Sequence, residues 1–345
     1  MRTVAVTAAA GAVGRELLAL LDADPGIGEV LGVDVVEPDM PPASLEFRVA
    51  DPRDPVLASV LRGVDVVVHL AGWVPEAVSE EVAFARSVHG TRNVLAAAEA
   101  TGVRGLVHLS SATVYGAHAD NPVPLDEEAR PRASADAPAA YHALLAEELV
   151  AAFREEHPEV AVAVLRPATI LGAGVDSPAT RLLEALRIPG VAGYDPPLQF
   201  VDVADVAEAV RLAASAGLDG VFNVAPDGWL TTEEAEHVAG RRLLRLPETP
   251  ALGAVSALHR LVGAELAPGE LAYLMHPWVV DASRLEAHGW RAQRSHREVL
   301  RAAAEDHRRW VRLDGLRIRR RDLYAVGAGA VLASAGLAAW ALRRR

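Results

Sequence analysis

The chain contains no lysine: all 34 basic side chains among its 345 residues are arginine. No side-chain amine can therefore hold a ligand or depress the pKa of a neighbouring acid. Abundant alanine and glycine alongside this absence indicate a GC-rich coding bias, which accounts for the composition but not for the residue at any one working position. Cysteine is also absent, which excludes disulfides, a thiolate nucleophile and a cysteine-ligated metal. Lone histidines at His69, His108 and His276 lack metal-ligand spacing and read as core or surface residues. The N-terminus has no signal-peptide pattern. Thr3–Thr7 reads directly as a first strand, so the globular part is expected in the cytoplasm.

Half of the chain is apolar, enough for one large α/β domain with a smaller attachment. The formal net charge is −12, unevenly spread. Residues 284–345 carry 15 arginines against 6 acidic side chains, so the body before them is strongly acidic. That argues against a nucleic-acid partner for the body.

Apolar runs of strand length alternate with helix-length amphipathic stretches. Strands are expected at Thr3–Thr7, Val30–Asp34, Glu46–Ala50, Asp65–Leu70, Gly105–Ser110 and Val160–Arg166. Helices are expected near Val13–Ala23, Ser79–Thr101 and Pro138–His157. The strands lack strict apolar–polar alternation, as in a parallel sheet covered on both faces. Repeated β-α-β order then predicts a doubly wound, Rossmann-type α/β fold. The expected organisation is a dinucleotide-binding domain over 1–170, rejoined by 198–240 through strands at Gln199–Val203 and Val221–Val224. Segments 171–197 and 241–311 would form a smaller substrate-side lobe.

The segment from Thr7 through Ala8, Ala9, Ala10, Gly11, Ala12 and Val13 to Gly14 lies between the first strand and the first helix. At that junction a pyrophosphate meets backbone N–H groups and the positive end of a helix. Gly11 permits close backbone approach, and Gly14 permits close packing of helix on sheet. An ordinary tight turn in an alanine-rich chain is the plainer alternative. Asp34 closes the second strand, where a carboxylate accepts from ribose hydroxyls and repels a 2′-phosphate, favouring NAD over NADP. Asp51 after the third strand suits either the adenine edge or a cap.

With these residues placed, the chain resembles the extended short-chain dehydrogenase/reductase family, its NAD-dependent epimerase/dehydratase group. The first loop is similar to that family's TGxxGxxG motif. His69-Leu70-Ala71-Gly72 is similar to its fourth-strand segment, and Ser87 through Leu95 to its NVxGTxNVL helix. Leu109 through Gly116 is similar to SSxxVYG, Leu165-Arg166-Pro167 to LRP, and Phe200 through Ala207 to FVHVxDVA. The likeness runs on through Asp281–Arg284 and Gly289-Trp290 to about residue 311. It implies that Leu70, Ala71, Gly72 and Pro167 join the loop in holding the dinucleotide, and that Ser111 and Tyr141 are catalytic. Three positions depart from the pattern. Ala8 stands for the first loop glycine, where a positive φ would cost about 1 kcal/mol or more. Ser87 stands for an asparagine. Leu145 falls where the lysine four residues after the tyrosine belongs.

In the family, the tyrosine exchanges a proton with a substrate alcohol or carbonyl while hydride moves to or from the nicotinamide. A serine binds the same oxygen, and the lysine lowers the tyrosine pKa. An unperturbed phenol titrates near ~10, too high for an efficient base at neutral pH, and a leucine neighbour dries the site and raises it further. Two readings follow: an epimerase or oxidoreductase with an altered site, acting on a hydroxyl or carbonyl of an unidentified small molecule such as a nucleotide sugar, or a non-catalytic dinucleotide-sensing protein.

Residues 323–342 carry no charge and are flanked by arginines. Twenty helical residues span about 30 Å, one hydrocarbon thickness, with Tyr324 and Trp340 near the two ends. This reads as an anchor holding the body at the inner face of the cell membrane. A surface or oligomer-forming helix is the alternative, and Gly329 with Ala333 would permit homodimeric helix pairing.

Overall fold

In the computed structural model the described residues are 1–37, 45–70, 79–185, 188–247, 268–313 and 316–319. Strand β1 (Arg2–Thr7) leads into helix α1 (Ala12–Asp22), then β2 (Ile27–Asp34), β3 (Glu46–Val49), α2 (Leu57–Val60) and β4 (Val66–His69). Helix α3 (Glu80–Phe84) continues through a wide π turn (Ala85–His89) into α4 (Gly90–Thr101), so the expected helix from Ser79 to Thr101 forms with one widened turn. Ser79 caps its start by accepting from Val82 N. Strand β5 (Gly105–Leu109), a 3₁₀ turn (Ala112–Tyr115), α5 (Pro138–Glu156) and β6 (Ala161–Pro167) complete the first part.

Seven strands form one parallel sheet in the order β3-β2-β1-β4-β5-β6-β10, where β10 is Gly220–Val224. The Val-rich β4 and β5 are buried along their whole length, because apolar layers cover both faces. On one face Leu17, Leu18 and Leu21 of α1 join Val206 and Val210 of α7 (Val203–Ala216) over Val4, Val6 and Val68. On the other, Val94 and Leu95 of α4 and Phe153 of α5 cover Ala5, Val67 and Leu106. The strand order reverses between β1 and β4, which opens a crevice at the carboxyl ends of those strands.

The second part contains β7 (Thr169–Leu171), α6 (Pro178–Glu184), β8 (Ile188–Val191), β9 (Phe200–Asp202), α8 (Thr232–Ala239) and β11 (Leu243–Leu246). A 3₁₀ stretch (Pro268–Leu274), α9 (Ser283–Ala287), α10 (His296–His307), and the antiparallel pair β12 (Trp310–Leu313) and β13 (Leu316–Arg319) follow. Strand β10 rejoins the main sheet beside β6, as expected. The strand expected at Gln199–Val203 does not: β9 pairs instead with β7 in a separate two-stranded sheet. Phe200 packs on the lobe's own apolar cluster of Leu171, Leu183 and Leu300, while Val201 packs on the main core. Strand β9 thus ties lobe to sheet. The uncharged run 323–342 lies outside the described residues, among which no helix is long and apolar enough to cross a membrane.

Candidate active site

A cavity of about 610 Å³ lies over the carboxyl ends of β1, β4, β5 and β6 and extends into the lobe. Its floor begins at the loop after β1. Ala8 holds φ +54°, the one non-glycine residue with positive φ among the described residues. The family's glycine position is therefore conformationally real here, and alanine occupies it at a cost. Ala9 N donates to Val33 O, and Gly11 N to Ala8 O, which folds the loop tightly. A Cβ added at Gly14 would lie 2.5 Å from Ala9 O and 2.8 Å from Ala8 O. Only glycine lets α1 start this close to the loop. The first turn of α1 has no acidic residue and no side-chain cap, so its N–H groups face the cavity without an internal acceptor. That donor set fits a pyrophosphate.

Gly11, Ala12, Val13, Gly14, Leu70, Ser111 and Pro167 line this cavity, together with Ala8 and Ser87. Ser87, a buried residue of the π turn, lines the cavity from that side. Thr7, Ala10, Asp34 and Asp51 are not lining residues. Thr7 is buried, and its hydroxyl donates to His69 Nδ1 at 2.7 Å. His69 Nε2 in turn contacts Thr91 Oγ1 at 3.0 Å, and Thr91 donates to Ser87 O at 2.6 Å. This chain of hydroxyls fixes a neutral imidazole between β1, β4 and α4, and burial holds its pKa well below the usual range. His69 is a core residue. Ala10 N donates to Asp34 Oδ2 at 2.9 Å and Val35 N to Oδ1 at 2.7 Å, so Asp34 holds the loop against the end of β2. Asp51 turns back on its own loop: Arg53 N donates to it at 2.9 Å and Arg53 Nη2 at 2.6 Å. The Arg53 side chain lowers its pKa. Asp51 thus closes a turn with Arg53 and does not cap α2, whose N-cap residue is Val56. Ala71 and Gly72 lie outside the described residues.

Ser111 caps the 3₁₀ turn after β5. Its Oγ accepts from Thr113 N at 3.2 Å and from Thr113 Oγ1 at 2.9 Å, leaving its own proton to donate into the cavity. Helix α5 presents Ala139, Ala140, Ala143 and Ala146 to the same space. Tyr141 and Leu145 are not among these lining residues, and this corrects their expected placement. Two residues along an α-helix is about 200° of rotation, so Tyr141 sits on the far side of α5 from Ala139. The lining positions four apart, as a tyrosine–lysine pair would need, are Ala139 and Ala143. The deficit therefore includes the phenol as well as the amine.

A phenol does reach the cavity from the lobe. Tyr273 packs against Ala133, Ala137 and Ala140, and its hydroxyl donates to Thr113 O at 2.7 Å. Burial, with Glu270 nearby, pushes its pKa up. The sequence carried no spacing signal for Tyr273, because it comes from a segment about 160 residues from Ser111.

Other motif residues build the support beneath the site. Arg166 pairs with Glu147 through Nε–Oε1 at 3.0 Å and Nη2–Oε2 at 2.5 Å, both side chains buried. The guanidinium stacks 4.7 Å from the Tyr115 ring centroid, and Tyr115 donates to Asn223 Oδ1 at 2.8 Å. Asp202 caps α7 and binds Arg294 at 2.8 Å, while Asp205 accepts from Gln293 N at 3.0 Å. Trp290 Nε1 donates to Asp205 O at 3.0 Å. The FVHVxDVA-like run thus clamps the 290s onto the sheet.

Comparison with known proteins agrees with this architecture. A family model described as NAD dependent epimerase/dehydratase family matches residues 4–225. An uncharacterized protein of Mycobacterium tuberculosis is 32% identical over 294 residues, covering 82% of this chain and 78% of the relative. Among solved structures, the dTDP-glucose 4,6-dehydratase DesIV from Streptomyces venezuelae, with NAD and TYD bound, superposes with a TM-score of 0.69 at 21% identity, over 89% of this chain and 97% of that one. The UDP-glucose 4-epimerase of Thermus thermophilus, in complex with NAD, gives 0.67 at 24% identity, over 89% and 99%. At such identities the likeness shows the shared fold, whereas the family match spans the main sheet and the loops at its carboxyl ends that floor the cavity. The chain belongs to the NAD dependent epimerase/dehydratase family.

Proposed function

We propose that this protein binds NAD in the crevice above β1 and β4 and transfers hydride between it and a carbonyl or hydroxyl group held at Ser111, with Tyr273 as the proton-exchanging phenol. The dinucleotide, when bound, would supply or accept the hydride. One observation carries the reading: the Tyr273 hydroxyl bonds Thr113 O at 2.7 Å, and Thr113 Oγ1 bonds Ser111 Oγ at 2.9 Å. The two groups that would grip one substrate oxygen are joined through a single residue. In the reducing direction Ser111 donates a hydrogen bond to the carbonyl oxygen. As the carbonyl π pair moves onto that oxygen, Tyr273 gives it a proton, and water reprotonates the phenolate. Burial and Glu270 keep the phenol protonated at neutral pH, so the proton is present to be given, and the raised pKa slows its release. Asp34 at the end of β2, beside the loop, supports NAD over NADP.

The competing reading, a non-catalytic dinucleotide-binding protein, is favoured by Ala139 and Ala143, which leave α5 without a functional group in the cavity. Titration with NAD, NADH and NADPH, followed by NADH oxidation against a panel of ketones and aldehydes, separates the two. Turnover that falls at least 100-fold in both Tyr273→Phe and Ser111→Ala, with NADH affinity unchanged, supports the enzyme. Tight NADH binding without turnover supports the second reading, and no binding of any dinucleotide overturns both.

A further inference from the structure

The cavity continues past Ser111 into the lobe, and that extension is mainly apolar. Most of its wall is aliphatic or aromatic, with Ala143 and Ala146 of α5, Leu182 of α6, Val191 of β8, Phe200 of β9 and Leu243 of β11, while Glu236, Arg241 and Arg245 are charged groups on the lobe side. A nucleoside diphosphate would bring two negative charges into this space, and burying them requires cations or N–H donors aimed at them.

The described arginines of the lobe wall are committed elsewhere. Arg241 donates to Leu183 O and Ala185 O. Arg245 pairs with Glu236 at 2.8 Å and reaches Asp195 at 3.4 Å. Arg15 stands at the other end, on the dinucleotide loop, where it donates to Ala10 O at 2.6 Å. The carboxylates in the wall would repel a diphosphate as well. The extension offers hydrocarbon a place and a diphosphate a penalty.

We infer that the substrate is an apolar ketone or secondary alcohol, with its oxygen at Ser111 and Tyr273 and its hydrocarbon body between α5 and the β8–β11 pair. This rests on the hydride-transfer reading above and adds the substrate class. The two solved structures described above are named for nucleotide-sugar substrates, so the inference separates this chain from them.

The test uses the full-length protein and two independent titrations. The first follows NADH alone. The second follows 2-butanone, 2-hexanone, 2-octanone and 2-decanone, and separately UDP and UDP-glucose, with and without NADH, by saturation-transfer NMR and calorimetry. Affinity is expected to rise about fourfold for each methylene that enters the lobe, with no saturable binding of UDP or UDP-glucose at millimolar concentration. Leu182→Arg should weaken 2-decanone at least tenfold while leaving NADH affinity unchanged. UDP-glucose binding more tightly than 2-decanone, or a ketone series without chain-length dependence, overturns the substrate class. Loss of NADH binding with the ketone series intact instead overturns the hydride-transfer reading.

Discussion

Ala8 carries a methyl group at the tightest bend of the loop after β1. Its place in the loop marked it as a glycine position, and its φ of +54° shows the strain that the marking implies. Ala8→Gly should stabilise the protein by about 0.5–1 kcal/mol, the left-handed penalty less the entropy that glycine loses on folding. Equilibrium urea denaturation reads this directly, and an unchanged or lowered midpoint would contradict it. Gly14→Ala should do the reverse and abolish NADH binding, since the new methyl meets Ala9 O at 2.5 Å. His108 was legible only as a residue without metal spacing. Burial lowers its pKa to about 4 against 6.5 for the exposed group, so the folded state resists protonating it. The stability it contributes is present above pH ~6.5 and lost as pH falls from there toward 4, roughly 3 kcal/mol in all. Denaturation curves at pH 7.5 and 4.5 should separate accordingly, and His108→Phe should narrow the gap.

At the scale of elements, α5 is the instructive case. Its existence and extent were plain from the sequence: Pro138 opens it, and apolar residues run to Phe153. Its rotation was not. A four-residue spacing fits many phases of a helix, and the one tyrosine in the segment drew the pairing to Tyr141 and Leu145. What fixes the phase is a contact that periodicity cannot see, the buried Glu147–Arg166 pair that holds α5 to β6. Glu147→Ala should cost about 3–5 kcal/mol, because it leaves a buried guanidinium without its partner. A double Glu147→Leu, Arg166→Met variant should recover most of that loss. Thermal unfolding of the three proteins decides the matter, and additive losses in the double variant would show that the pair does not act as a unit. Strand β9 teaches the same lesson: its strand character was readable from Gln199–Val203, its partner β7 was not.

For the whole molecule, the doubly wound sheet followed from strands without alternation, since both faces had to be covered. The cavity did not follow. Among the described residues its far wall is assembled from 171–183, 188–200, 232–245 and 270–278 with Leu300, which are far apart in sequence and meet only once β10 has rejoined the sheet. The acidic body and the arginine-rich end are features of the sequence alone. On that basis the uncharged run 323–342 is expected to hold full-length protein on membranes against high salt and to be released by truncation after residue 319. Recovery of the full-length chain wholly in the supernatant after ultracentrifugation would remove this expectation.

The alanine face of α5 also makes the protein a host for transplantation. Ala139 and Ala143 line the same cavity as Ser111, one helical turn apart, and neither carries a side chain that must first be displaced. Installing Ala139→Tyr with Ala143→Lys in a Tyr273→Phe background would introduce the chain's first lysine. It would also ask whether two side chains suffice to move the proton-transfer machinery from the lobe to the helix. Ketone reduction regained by the grafted triple variant, with its pH optimum displaced from that of the parent, would show that one scaffold accommodates both solutions.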